Sequence, residues 1–497
     1  MPNYAGKGNI AAYARAFGDD TRGMILPYVT VMLVVIVGVS VLALDGARYM
    51  SLQTQLQNGA DALALAGAAE LDRLPDSEAR AISAISRLIT NATLFGTAGN
   101  KNVRVSNIEF YSQLPGNDAN SMSDGIIASD PVNARFVSVT VQPVTLETIL
   151  PAAFFGGANR VTTGAFAVAG FDQVVCKFPP IFVCNPFETR DMSYEQATAA
   201  LQRSAADPAT QRRLIRMRQN GGATVQYGPG DYGFLDAPTL GGDANSIIDG
   251  IAQVHPGACF RQNGVNIKGG LITSAGEGFD VRFDIYTGSM TSKKNNGDYR
   301  PAENVRKGYV GGGNAGASCS AHPANNWPIG SPPNQATGLP LDLEWPDLQG
   351  RMGNGNWDFD TYWQVNHGGA GREPPLINGS VASNSNLPSR YTIYRYEIDQ
   401  GLVGDISFGG ESGVPACYSG DSLPSMPDRR IIYAAVINCL SLNLGIGNHS
   451  DVPVAAFGKF FLTIPVPQYE GDLFLETVGL VSRGDSVSNF DIVQLYR

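Results

Sequence analysis

Met24 to Leu44 reads MILPYVTVMLVVIVGVSVLAL, a run without one charged side chain behind a short polar N-terminus. As a helix rising about 1.5 Å per residue it spans about 31 Å, which matches a hydrocarbon core of roughly 30 Å. A soluble core helix of that length is rarely apolar on every face. A cleaved export signal has a shorter apolar region, about 7–15 residues with a small-residue exit, whereas this run ends in Leu44-Asp45-Gly46-Ala47-Arg48. An uncleaved single span over 24–44 is expected. Lys7, Arg15 and Arg22 precede it, and Arg48 is the only cation between Asp45 and Asp72. Because Lys and Arg set orientation, residues 1–23 are expected in the cytoplasm and everything after Leu44 outside it. Asp45 and Arg48 lie three apart on a helix at the membrane exit, where they are expected to pair or to meet lipid headgroups.

Beyond the membrane the helical pattern continues. Leu52, Leu56, Gly59, Leu63 and Ala66 fall at alternating spacings of four and three, a narrow stripe on one face, and the first breaker is Pro75. One helix is predicted from Met24 to Leu74, about 75 Å long. Its small residues, among them Gly59, Ala60, Ala62, Ala64, Ala66 and Gly67, let another backbone approach, either a sheet of this chain or a second subunit. A second helix is predicted over Ser77–Leu94, with Ser77 as N-cap and Ala81, Ile82, Ile85, Leu88 and Ile89 as its apolar face. The period then changes to two. Val103–Phe110, Phe136–Val141 and Val161–Ala169 read as half-buried strands, closing a helix-and-sheet region, 45–172.

The remainder, 173–497, carries all six cysteines: Cys176, Cys184, Cys259, Cys319, Cys417 and Cys439. An even count on the exported side predicts three disulfides. No C-x2-C pair occurs, so zinc is not expected. Six cysteines allow fifteen connectivities; short loops close most readily, which favours Cys176 with Cys184, Cys259 with Cys319 and Cys417 with Cys439. Strands are predicted at Phe279–Tyr286, Tyr391–Ile398, Arg430–Val436, Val454–Ile464 and Leu473–Val481, with a helix over Ser193–Met217. Gly288–Pro388 is rich in Gly, Asn, Pro and Ser and reads as a long loop region. The fold class expected is α+β: one extended N-terminal helix, a sheet, then a β-rich, disulfide-stapled domain.

Charged residues make up only 16% of the chain, against 58 glycines and 30 prolines in 497 residues, and the net charge is −10. That composition favours β structure with long loops. The absence of a sustained basic run argues against nucleic acid as a partner. No nucleophile elbow, phosphate loop or H-E-x-x-H motif occurs. Gly420-Asp421-Ser422-Leu423 spells a lipase and esterase block, but it precedes Pro424 and leaves only His449 downstream. His255, His322, His367 and His449 are isolated. Asn354-Gly355-Asn356-Trp357-Asp358-Phe359-Asp360 has the alternating oxygens of a calcium loop but lacks the closing glutamate. Neither cofactor nor metal nor small-molecule substrate is expected, and the chain is not read as an enzyme. The four tryptophans, Trp327, Trp345, Trp357 and Trp363, fall with Tyr362 in one window. Exposed, they would favour an anchored module that captures glycan or protein ligands; buried, they would be a loop's own core.

Arg22-Gly23, Asp45-Gly46-Ala47-Arg48 and Leu56-Gln57-Asn58-Gly59-Ala60-Asp61-Ala62-Leu63-Ala64-Leu65-Ala66-Gly67-Ala68 together resemble the N-terminal region of the tight-adherence (Tad, or Flp) pilus-assembly family, in its TadG-like members. Further on, Arg351–Asp358, Asp428-Arg429-Arg430 and Asp451–Phe457 also resemble long TadG-related proteins. The resemblance implies a structural component of pilus assembly in the bacterial inner membrane, a minor pilin-like or envelope-anchoring protein whose partners are other pilus-assembly subunits and whose C-terminal bulk is periplasmic or at the cell surface. In that setting 45–172 is a pilin-like region, and Leu56, Gly59, Ala62, Leu63, Ala66 and Gly67 are candidates for an assembly helix. Two family features are incomplete. The metal-site string D-x-S-x-S of some members has its nearest counterpart in Asp405-Ile406-Ser407-Phe408-Gly409, which lacks the second serine, so no such metal site is expected, and the processing signature after Gly23 has Tyr28 where pilin-like relatives carry Glu.

Overall fold

The computed structural model describes residues 25–72, 76–87, 92–93, 101–117, 120–149, 157–220, 226–308, 319, 338–369, 371–408, 410–421, 425–466, 471–482, 485 and 487–496. They divide into two compact units, Met1–Phe171 with Val493–Arg497, and Asp172–Ile492. The class is α+β: a long apolar N-terminal helix, then β-rich structure with a closed barrel and three disulfides.

In the first unit, helix α1 runs over Ile25–Ala68, about 66 Å at the standard rise. It stops six residues short of the predicted Leu74. Leu71 turns inward and is fully buried, while Glu70 and Asp72 converge on Arg80 of helix α2 (Ser77–Arg87) at 2.8 and 2.5 Å. Ser77 is not the cap. Arg80 N–H bonds the Asp76 carbonyl, and Ser77 Oγ donates to Pro131 O at 3.0 Å. Leu88 and Ile89 lie outside the described residues. Against these helices lies an antiparallel sheet of β1 (Val105–Gln113), β2 (Ile126–Ile127), β3 (Phe136–Val141) and the start of β6 (Phe166–Cys176), ordered β6-β3-β1-β2. A separate hairpin pairs β4 (Val144–Glu147) with β5 (Arg160–Thr163). The stretch predicted as one strand over Val161–Ala169 is therefore two, broken at Gly164-Ala165. The last residues of the chain return to this unit: Tyr496 N–H donates to Val168 O at 2.8 Å.

The second unit is built on β7 (Ile181–Cys184), β8 (Leu214–Gln219), β9 (Asp231–Leu235), β10 (Cys259–Arg261), β11 (Val265–Lys268), β12 (Ile431–Ile437), β13 (His449–Val452), β14 (Ala456–Leu462) and β15 (Leu473–Leu480). Six close into a ring, β8-β15-β14-β12-β7-β9 and back to β8, and β11 and β13 extend from β9. Two neighbours run parallel, β7 with β12 and β8 with β9. Alternation explains the ring. Ile181, Val183, Ile215, Met217, Tyr232, Phe234, Ile432, Ala434, Val436, Phe460, Leu462 and Leu475 share one core, while the intervening Phe182, Cys184, Leu235, Tyr433, Ala435, Phe457 and Phe461 belong to another. Both faces are buried, which is why IFVC and IIYAAVI are apolar throughout.

Helix α3 (Tyr194–Ala206) begins where Ser193 was expected to start one, with Ser193 and Gln196 forming a capping box. The predicted helix does not reach Met217, which lies inside β8. Two predicted strands are not strands. Phe279–Tyr286 covers the end of a short helix, Ala275–Asp280, and a 3-10 turn, Val281–Phe283. Its polar positions are as buried as its apolar ones: the Asp284 carboxylate accepts the amides of Ala416, Cys417 and Tyr418 at 2.6–2.8 Å. Tyr391–Ile398 lies in helix α6 (Arg390–Asp399), numbered after α4 (Ala244–Ala252) and α5 (Phe359–His367). Its buried residues, Arg390, Ile393, Tyr394 and Glu397, keep the helical spacing, and Ser389 caps it by accepting the Thr392 amide.

Candidate functional site

The span in α1 is bare. From Ile25 to Leu44 no described side chain is buried; Gly38 and Val41 are half-buried, and the exposed large apolar side chains run from 51% at Val37 to 73% at Ile25. The first buried residue is Asp45, 7% exposed. Its Oδ1 accepts from Arg48 Nη1 at 3.3 Å and from the Ile149 amide at 3.0 Å, while Arg48 Nη1 also donates to the Glu147 carbonyl at 3.3 Å. The Asp45–Arg48 pair thus does more than neutralise itself, because it bolts the helix to the β4–β5 hairpin. Charge-assisted bonds of this kind are among the stronger ones.

The next six turns pack on the chain's own sheet. Leu52, Leu56, Ala60, Leu63, Ala64 and Ala68 share a core with Val137, Val139, Val141, Ala167 and Ala169. A Cβ on Gly59 would sit 3.1 Å from Val103 Cγ2, and one on Gly67 would sit 2.7 Å from Ile85 Cδ1. The face carrying Leu56, Gly59, Leu63 and Gly67 is therefore occupied by this chain's own residues. Ala62 and Ala66 are half-buried. The buried stripe advances from 63–64 to 67–68 rather than to Ala66, because 3.6 residues per turn carries the sheet-facing side past it. Gln57 Nε2 adds a bond to Phe166 O at 3.0 Å at the start of β6.

All six cysteines are paired, but as Cys176–Cys259, Cys184–Cys439 and Cys319–Cys417. None of the three short-loop pairs forms. Loop closure costs only about 0.6 kcal/mol per doubling of length, so strand pairing decides instead. Cys176 stands opposite Cys259 in the β6–β10 register, and β7 and β12 pair with Cys184 beside Ile437, two residues before Cys439.

The aromatic window is largely a core. Trp357 and Trp363 are 1% and 6% exposed, Trp345 is half-buried, and Trp327 lies outside the described residues. Asp358 caps α5 by accepting the Thr361 amide, and Asp360 and Asn384 exchange bonds at 3.0 and 3.2 Å, so these oxygens serve the turn. Below them lies a polar network that sequence reading missed, since its members are scattered from 304 to 405. Glu397 accepts from His367 Nε2 at 2.8 Å, from Tyr362 OH at 2.5 Å and from Asn304 Nδ2 at 2.5 Å, and His367 Nδ1 meets Asp405 Oδ2 at 3.3 Å. Burial works to raise the Glu397 pKa, yet the His367 bond and the Arg306 charge outweigh it and hold the carboxyl below the usual glutamate range. His367 and Glu397 are 0% and 1% exposed and spend their capacity on one another and their neighbours. The isolated His449 bonds the Gly445 carbonyl at 2.9 Å; His322 and Ser422 lie outside the described residues. Among the described residues no cluster of three His, Cys, Asp or Glu side chains is placed to hold a metal ion.

Comparison with known proteins bears on the helix. Residues 23–70 match the model of the family described as Flp pilus-assembly TadE/G-like. No curated protein and no solved structure matches the chain. The matched segment coincides with the bare span, the Asp45–Arg48 joint and the sheet-packed turns up to the end of α1, so over residues 23–70 this chain carries a TadE/G-like Flp pilus-assembly region.

Proposed function

We propose that this protein is a membrane-anchored, non-catalytic structural component of Flp pilus assembly, held by a single pass through the bacterial inner membrane with its C-terminal bulk exported. Involvement in pilus assembly is supported by the family match over 23–70. The observation that carries the finer role is the division of α1, whose apolar first half is uncovered while its second half is spent on the chain's own sheet. An uncovered helix about 30 Å long has two occupants available, lipid and the like helices of other subunits. Disulfides on the far side of the span suit an oxidising compartment. Burial of Trp357 and Trp363 removes the support that an exposed aromatic face would have lent to ligand capture.

The test is surface piliation in a deletion strain. Full-length complementation should restore pili; normal piliation in the deletion itself would refute the reading. A chain whose residues 25–44 are exchanged for an unrelated apolar span of equal length separates the two finer roles. A pilin-like subunit needs its own helix surface and fails in this exchange, whereas an anchor tolerates it.

A further inference from the structure

A cavity of ≈ 230 Å³ in the second unit is walled by Pro179, Pro256, Met426, Tyr433 and Val487 and floored by cations. Lys177, Arg282 and Arg429 line it, in a protein whose net charge is −10. Arg282 and Arg429 are 3% and 5% exposed. Among the described residues neither guanidinium has a carboxylate within 4 Å; their donors go to carbonyls. Arg282 Nη1 donates to Ile251 O at 2.8 Å and to Gly278 O at 3.2 Å, and its Nε has no partner. Arg429 donates to the carbonyls of Arg300, Gln253 and Ala252. The one carboxylate in the lining, Asp428, is bonded by Arg395 and by Tyr391 OH, each at 2.9 Å, so its charge is already matched.

Burying a guanidinium without an anion is costly, and carbonyl dipoles recover only part of that cost. Two such groups close together compound the cost. Burial, followed by the Arg429 charge, pushes the Arg282 pKa well below the usual arginine range. His255, between the lining residues Val254 and Pro256, has its pKa lowered by burial and then by Lys177, Arg300 and Arg429, which together outweigh the opposing Asp298 charge. Planar guanidinium donors fit carboxylate and phosphate oxygens. We propose that this cavity is a binding site for a small oxyanion, a carboxylate or a phosphate, seated against Arg282 and Arg429 and reached across Lys177. The volume admits the anionic group with a few carbons, and the proline, methionine and tyrosine walls offer that scaffold an apolar seat.

The test uses the full chain in detergent, titrated in the millimolar range with sodium phosphate or sodium acetate and compared with sodium chloride at matched ionic strength. A bound anion raises the unfolding midpoint with the logarithm of its concentration once that exceeds Kd and raises the His255 pKa followed by NMR. A response to phosphate alone identifies a tetrahedral anion and a response to acetate alone a carboxylate; either supports the site. Arg282→Met should abolish the response. Should that variant not fold, Lys177→Asn decides: Lys177 is exposed at φ 57°, a conformation Asn tolerates, and the substitution should weaken binding about tenfold. Equal responses to all three salts, or a Lys177→Asn chain that binds like the parent, would overturn the proposal.

Discussion

Asp45 directly follows Leu44 at the edge of the span, yet it is buried, because two donors meet it there. The partner three residues on was legible in the sequence, since i,i+3 spacing puts Arg48 on the same face. The Ile149 amide was not, for it lies 104 residues away and is an ordinary backbone group. Asp45→Ala removes the acceptor and leaves that amide to solvent. Hydrogen exchange at Ile149 should accelerate tenfold or more, as about 1.5–3 kcal/mol for a bond to a charged group implies; an unchanged rate would show that the hairpin holds itself. Gly67 raises the same question of spacing. Its missing Cβ leaves room for Ile85 and Val137, so Gly67→Leu should destabilise the first unit by about 1–3 kcal/mol through overpacking. Thermal unfolding of the purified full chain reads this directly. If the face served another subunit instead, the variant would unfold like the parent and lose only piliation.

At the scale of elements, apolar composition was readable where a run is buried on both faces and misleading where β-branched and aromatic residues sit on a helix. The predicted strands over 430–436, 454–464 and 473–481 are present as β12, β14 and β15 because β-branched and aromatic runs suit a sheet buried on both faces. The same composition in Tyr391–Ile398 forms α6, where the Ser389 cap and the buried i, i+3, i+4, i+7 set override strand propensity. Disulfides were legible as a count and not as a connectivity, because strand neighbours set the pairing and topology is a non-local property. Non-reducing peptide mapping should recover the linked pairs 176–259, 184–439 and 319–417. Replacing Cys184 and Cys439 together by Ser should cost the most, about 5 kcal/mol in the chain-entropy limit, since that bond closes a separation of 255 residues. A loss no larger than that for Cys176 and Cys259 would point to native-state effects.

For the whole molecule, buried carboxyls set how stability follows pH. Asp280 is pushed up to about 8 by burial, against the opposing help of the Val466 amide and Lys307. Its folded pKa lies above the unfolded value of about 3.9, so the folded state holds the proton more tightly. That stability is fully present below about pH 4 and is lost as pH rises through about 8. Asp280→Asn, which keeps an acceptor for Val466, should flatten the decline in urea-unfolding stability across this window; an unchanged slope would place its origin elsewhere. The bond between Cys184 and Cys439 has a mechanical consequence as well. Tension drawn along the backbone into the second unit passes from one sulfur to the other and never enters the residues between them. At roughly 3.3–3.6 Å per extended residue, about 840–920 Å of contour is withheld from stretching. Under load the oxidised chain is a short tether with residues 185–438 carried as unstrained cargo, and reduction of that single bond would release as slack only the stretches that the other two disulfides leave outside their loops, 259–319 and 417–439.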